Sequence, residues 1–154
     1  MQRAQFGPWE IEYDREATQA AYAAMEPCED GCNCQGCRNY LANMPFLPEE
    51  VRQFFDSLGI DPAFPFEISA PIPPAPWEGP LYYNSVYYYC FGRIVSGPEN
   101  EIGTCQCRHS VNKDFEYAFG SKCYWLAEEI PKEQAIQIEI TITLPYRLDE
   151  PYTE

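Results

Sequence analysis

The sequence predicts an α+β protein built on an antiparallel sheet. Three observations carry this. Ile136, Ile138, Ile140, Ile142 and Leu144 alternate without a break against Gln137, Glu139, Thr141 and Thr143, the period of a strand. Pro48 to Leu58 places Val51, Phe54, Phe55 and Leu58 on one stripe of a helix. Finally, the helical patterns cluster early in the chain and the strand patterns follow, which is the order of an α+β fold.

The elements follow in order. Trp9, Ile11 and Tyr13 alternate with Glu10, Glu12 and Asp14, so residues 8–14 read as a half-buried strand. Glu16 to Met25 is alanine-rich and predicts a short helix, ended by Pro27. A second short helix is expected from Cys37 to Met44, with Tyr40, Leu41 and Met44 inward and Pro45 stopping it. Pro48 suits the first position of the third helix, Glu49 and Glu50 complement its dipole, and Gly59 with Ile60 caps its end. Its phenylalanines are expected to pack on one sheet face.

Phe66, Ile68 and Ala70 read as a short strand, and residues 71–76, PIPPAP, as a stiff polyproline connector. No basic residue flanks that segment to orient it as a ligand for an aromatic groove. Leu81 to Val95 predicts a central strand covered on both faces. Tyr83, Tyr87, Tyr89 and Phe91 are assigned to one face, and Tyr82, Val86, Tyr88, Cys90 and Ile94 to the other, with a bulge or bend at Gly92. SGPEN, residues 96–100, reads as a hairpin turn, with Ile102 to Ser110 returning as a strand. Phe115, Tyr117 and Phe119 alternate as another strand, Gly120-Ser121 turns it, and Cys123 to Leu126 continues. LDEPYTE closes the sequence as an acidic tail. There is no internal repeat.

The strongest chemical signal is CEDGCNCQGCRNY, residues 28–40. Cys28, Cys32, Cys34 and Cys37 fall in a C-x3-C-x-C-x2-C pattern. Zinc takes four such ligands in a tetrahedron, and a C-x2-C pair presents two sulfurs on one side of a tight turn. Gly31 and Gly36 suit such turns. A polar loop this short has too few apolar side chains to order itself, so a cross-link through sulfur must do so. A helix starting at Cys37 would aim backbone N–H groups at the sulfurs and favour thiolate. Arg38 and Asn39 are placed to donate hydrogen bonds to them. A disulfide framework competes with zinc, because eight cysteines allow 105 pairings. Against it, cytosolic thiols stay reduced. Another metal and unligated thiols are the remaining alternatives. The spacing matches no familiar iron–sulfur pattern.

Cys105, Cys107 and His109 fall on one side of the predicted return strand. With Cys123 or Cys90 as a fourth ligand they are a candidate second metal site. The competing readings are two buried thiols beside an exposed imidazole, or a thiol and base for nucleophilic chemistry.

At 154 residues, with 45% hydrophobic and 16% aromatic residues, the chain is long and apolar enough for one domain with its own core. The metal site would order a local region only. Ten basic residues face 24 acidic ones, a formal net charge of −14. A tetrathiolate zinc would add about −2. Nucleic-acid binding needs basic clusters, and none is present, so nucleic acid and anionic membrane are excluded as partners. The start of the sequence has no apolar run of a secretory signal, and no stretch approaches a membrane span. The expected location is the cytoplasm.

C-x2-C-R-N-Y at residues 34–40, PFLPEEVRQFFDSLGIDP at 45–62, the aromatic run closing in FGRIV, and PYRLDEP at 145–151 together resemble a group of small uncharacterised bacterial proteins. Members share a C-x2-C-R-N-[FY] element, an LPPEV…LGIDP helix and an LDEP-like end. Cys34, Cys37, Arg38 and Asn39 match, while this chain has more cysteines and more tyrosines. The resemblance implies no particular activity.

Three functional readings follow. The first is a non-enzymatic cytoplasmic protein with a structural zinc on Cys28, Cys32, Cys34 and Cys37, working through protein contacts or as a sensor. The second is a thiol redox protein cycling Cys34 and Cys37, although no thioredoxin-like βαβ order surrounds the pair. The third is a ligand-binding module, or an unassigned enzyme, offering Tyr83, Tyr87 and Tyr89 as an aromatic surface beside His109. The partner is an unidentified protein or small molecule. No paired-carboxylate, phosphate-loop or nucleophile-elbow motif is present.

Overall fold

A computed structural model describes residues 1–26, 32–99, 107–121 and 129–154. The described elements are strands β1 (Gln2–Phe6), β2 (Trp9–Tyr13), β3 (Glu67–Ile68), β4 (Leu81–Ser96), β5 (His109–Asn112), β6 (Phe115–Gly120) and β7 (Ala135–Leu144), with helices α1 (Arg15–Ala24), α2 (Gln35–Asn43) and α3 (Glu49–Leu58). The fold is α+β, as the sequence predicts. All the strand pairs are antiparallel, in the order β1-β2-β4-β7-β6-β5, with β3 also on β4.

β1 was not foreseen. QRAQF offers only Ala4 and Phe6 as apolar residues, too few for a visible alternation. The two-residue turn Gly7-Pro8, with Gly7 at φ 55°, folds it back on β2.

The long strand β4 organises the sheet. β7 pairs along most of one edge, and the other edge is shared. β3 pairs with Val86 and Tyr87, and β2 with residues 92–96. Helix α1 seals the gap between them with side chains. Tyr22 Oη donates to Tyr89 O and accepts from Tyr89 N, at 2.9 and 3.1 Å. Thr18 Oγ1 accepts from Phe91 N at 2.9 Å. A helix thus satisfies an edge that would otherwise be open for pairing.

Two register features correct the sequence reading. Tyr83 pairs with Ile142 and Val86 with Ile140, so Asn84 and Ser85 together stand opposite Thr141 in a bulge. The extra residue moves Tyr83 to the face of Val86, Tyr88 and Cys90, away from Tyr87 and Tyr89. Gly92, by contrast, is in regular register with Tyr13. The second irregularity lies where β2 steps from Glu10 to Ile11, and Gly92 serves a close approach: an added Cβ would sit 2.3 Å from Glu12 O. The turn expected at residues 96–100 is described only as far as 99, and the described end of its return strand, β5, lies against β6. Of the strand expected over 102–110, residues 102–106 lie outside the described residues, as does the continuation at 123–126.

The sheet curls until its ends meet. The Phe6 ring on β1 is 6.5 Å from Tyr117 and 5.6 Å from Phe119 on β6. Helix α3 fills the concave face. Phe54 stacks on Tyr117 at 4.4 Å and Phe55 meets Tyr88 at 4.9 Å. Gly59, at φ 79°, ends α3, and Ile60 N donates to Phe55 O at 3.0 Å, the expected left-handed cap. Gly59 also lets α3 meet α1, where an added Cβ would lie 2.3 Å from Arg15 O. The other face of β7 is covered too. Arg108 donates to Thr141 Oγ1 at 2.6 Å and Glu139 Oε1 at 3.1 Å, and Tyr89 Oη to Gln137 Oε1 at 3.0 Å, so Gln137, Glu139 and Thr141 are buried with partners despite being polar.

Candidate metal centre

Helix α2 starts two residues earlier than expected, and this sets the geometry of the cysteines. Cys34 is its N-cap: Arg38 N donates to Cys34 O at 3.0 Å, and Cys37 N to Cys34 Sγ at 3.4 Å. Cys37 therefore sits in the first helical turn, one turn from the cap. Cys32 approaches from the preceding loop. The sulfurs of Cys32, Cys34 and Cys37 lie within 4.8 Å of one another. Zinc–sulfur bonds of about 2.3 Å separate tetrahedral ligands by about 3.8 Å. Three thiols at this spacing can hold a metal ion. Among the described residues, no other group of three Cys, His, Asp or Glu donors comes together in this way. Cys28 lies outside the described residues.

The sulfurs differ in environment. Burial, followed by the neighbouring Cys34 and Cys32 thiols, pushes Cys37 well above the ordinary thiol range. Cys32 is exposed and is lowered, chiefly by hydrogen bonding from the Cys34 side chain and then from its backbone N–H. A bound cation would favour the thiolate form of its ligands by supplying positive charge at their centre.

The surroundings depart from the expectation. Arg38 and Asn39 do not serve the sulfurs. Arg38 Nε donates to Asn33 O at 3.1 Å and its guanidinium pairs with Glu150. Asn39 Nδ2 donates to Pro145 O and Tyr83 Oη, at 3.2 and 3.3 Å. Gly36 provides clearance and no turn: it is helical, and a Cβ there would lie 2.7 Å from Pro71 Cδ. The polyproline segment packs on the cysteine-bearing turn through that contact. Tyr83 Oη donates to Gly36 O at 2.6 Å from beneath.

Sequence reasoning missed the second layer of this site, residues 145–154. This stretch, of which residues 148–154 read as an acidic tail, lies along α2, held by a polar stripe of Gln35, Asn39 and Asn43, all buried. Gln35 Nε2 donates to Pro151 O at 2.7 Å, and its Oε1 accepts from Thr153 N at 2.7 Å. Asn39 Oδ1 accepts from Arg147 N at 2.7 Å, and Asn43 Oδ1 from Arg147 Nε at 2.8 Å. Tyr152 is buried beside this turn. The i, i+4, i+8 spacing of the three amides was the available signal. They take the inward face on which Leu41 was expected, and Leu41 is exposed while Tyr40 and Met44 are inward as predicted.

For the second site, Cys105 and Cys123 lie outside the described residues. Cys107 is half-buried against the core, and Cys90 is fully buried. His109 is half-buried instead of exposed. Its ring packs 5.4 Å from Tyr117 and so close to the β1–β2 turn that a Cβ on Gly7 would lie 2.5 Å from Cγ.

The aromatic surface is overturned. Tyr83 and Tyr89 are fully enclosed and Tyr87 is buried. Tyr83 packs on Tyr40 of α2 at 5.3 Å, and Tyr89 on Phe66 at 4.8 Å. These rings are core, with the Tyr83 and Tyr89 hydroxyls bonded to Gly36 O and Gln137 Oε1, and they present no face to a ligand. No helix among the described residues is long and apolar enough to cross a membrane. No family model, curated protein or solved structure matches the chain.

Proposed function

We propose that this chain is a cytoplasmic, single-domain, non-enzymatic protein carrying one structural zinc on Cys28, Cys32, Cys34 and Cys37, and that it works through protein contacts or as a sensor. The observation that carries this reading is the convergence of the Cys32, Cys34 and Cys37 sulfurs within 4.8 Å at the start of α2. Cys28 is the proposed fourth ligand because a structural site is filled by protein donors. The ion would fix the entry to α2, while the aromatic core holds the rest of the fold. The resemblance to small bacterial proteins through Cys34, Cys37, Arg38 and Asn39 is part of the same proposal.

The test is metal content by plasma emission on protein purified without added metal. One equivalent of zinc is expected, falling in Cys28→Ser as in Cys34→Ser. Less than about half an equivalent, with all thiols intact, would sink the reading.

The same closeness of Cys34 and Cys37 favours, second, a dithiol that a peroxide converts to a disulfide, each sulfur losing a proton and an electron and the peroxide becoming water. Thiol counts separate the two. Zinc-bound thiolates react as a set with release of metal, whereas a redox pair reacts alone.

A further inference from the structure

We infer that residues 145–154 are a strap whose docking on α2 is linked to the filling of the cysteine site, with Gln35 as the linking residue; this rests on the metal-binding reading above. Gln35 lies between ligands Cys34 and Cys37, and its backbone N–H and side-chain amide both bind the strap. Its backbone N donates to Glu154 Oε2 at 2.8 Å. Its side-chain amide binds Pro151 O, Thr153 N and, at 3.2 Å, Thr153 Oγ1. Glu154 O in turn accepts from Ala75 N at 2.6 Å, so the end of the strap is clamped between α2 and the polyproline segment.

The strap and the helix need each other. Gln35, Asn39 and Asn43 are at most 4% exposed, and their amides read strap backbone at Pro145, Arg147, Pro151 and Thr153. If the strap lifted, buried amides would lose partners and the first turn of α2 would lose what fixes Gln35. The Cys34 and Cys37 sulfurs ride on that turn. An ion that orders the turn therefore favours the docked strap, and by reciprocity the docked strap raises affinity for the ion.

The experiment uses the full chain, zinc-loaded and chelator-treated. Hydrogen exchange is read at Arg147 N and Thr153 N, with β4 as internal reference, and zinc affinity by competition with a chromophoric chelator. Zinc should slow the strap amides about tenfold more than those of β4. Arg147→Ala, which frees Asn43 Oδ1 at the end of α2 far from the sulfurs, should weaken zinc binding about fivefold or more. Gln35→Ala should weaken it further; should it fail to fold, Arg147→Ala still decides. One equivalent of zinc with strap exchange unchanged, or slowed no more than β4, would overturn the linkage and leave the metal reading standing. No bound zinc in the unmodified chain would remove both.

Discussion

Cys34 has two jobs at one atom, and they can be separated. Its Sγ is both a candidate ligand and the acceptor that caps α2 through Cys37 N. Serine is a better cap than a thiol but a poor zinc ligand; alanine is neither. In chelator-treated protein, Cys34→Ala should lose about 1 kcal/mol in urea unfolding while Cys34→Ser loses nothing or gains slightly. With zinc present, both should fall well below the unmodified chain. Equal behaviour of the two variants without metal would show that the cap contributes nothing. The C-x2-C spacing was plain in the sequence, but the capping role was not, because it depended on where the helix began.

At the scale of elements, legibility followed how local the cause was. α3 was readable to within a residue because its stripe, acidic first turn and Gly59 cap are all written within twelve positions. β7 was readable from its unbroken alternation. β4 was recognised as central, but its faces were misassigned, because the bulge at Asn84 and Ser85 is set against Thr141 of a strand some sixty residues on: Thr141 Oγ1 donates to Asn84 O at 2.8 Å. The strap on α2 was invisible for the same reason. Polar amides on a helix announce that they need partners without saying which segment supplies them. The contact of α3 with the sheet carries a prediction of its own. Phe54, 7% exposed, stacks on Tyr117 and lies edge-on to Phe115, Phe55 and Phe6, at 5.4, 5.5 and 6.1 Å. Phe54→Ala should cost about 3–5 kcal/mol by chemical denaturation. Phe46, 63% exposed with the Arg147 guanidinium over its ring, is the control. Its change to alanine should stay within about 0.5 kcal/mol. A small loss at Phe54 would mean that the helix does not plug the curled sheet.

The molecule as a whole is built on phenols, and that ties its stability to alkaline pH. Burial raises Tyr22, Tyr40, Tyr83 and Tyr88 above the ordinary phenol range, and Tyr117 to about 12. The Tyr40 and Tyr88 hydroxyls share one hydrogen bond at 2.6 Å, and Tyr88 Oη also donates to Pro62 O at 2.7 Å, so an ionised Tyr88 would lose a donor where no water replaces it. An unfolded tyrosine releases its proton near pH 10. Because the folded values are raised, the stabilisation is complete below about pH 10 and drains away as pH climbs toward the folded values. The buried set should then ionise with unfolding instead of ahead of it. Near-ultraviolet absorbance of tyrosinate should rise in one steep step that coincides with loss of far-ultraviolet circular dichroism. Tyr117→Phe, which removes one raised group but keeps its stacking on Phe54, should move that step to higher pH. A gradual titration centred near pH 10, with the dichroism unchanged throughout, would mean that these rings are open to water and that the sheet is not closed around them.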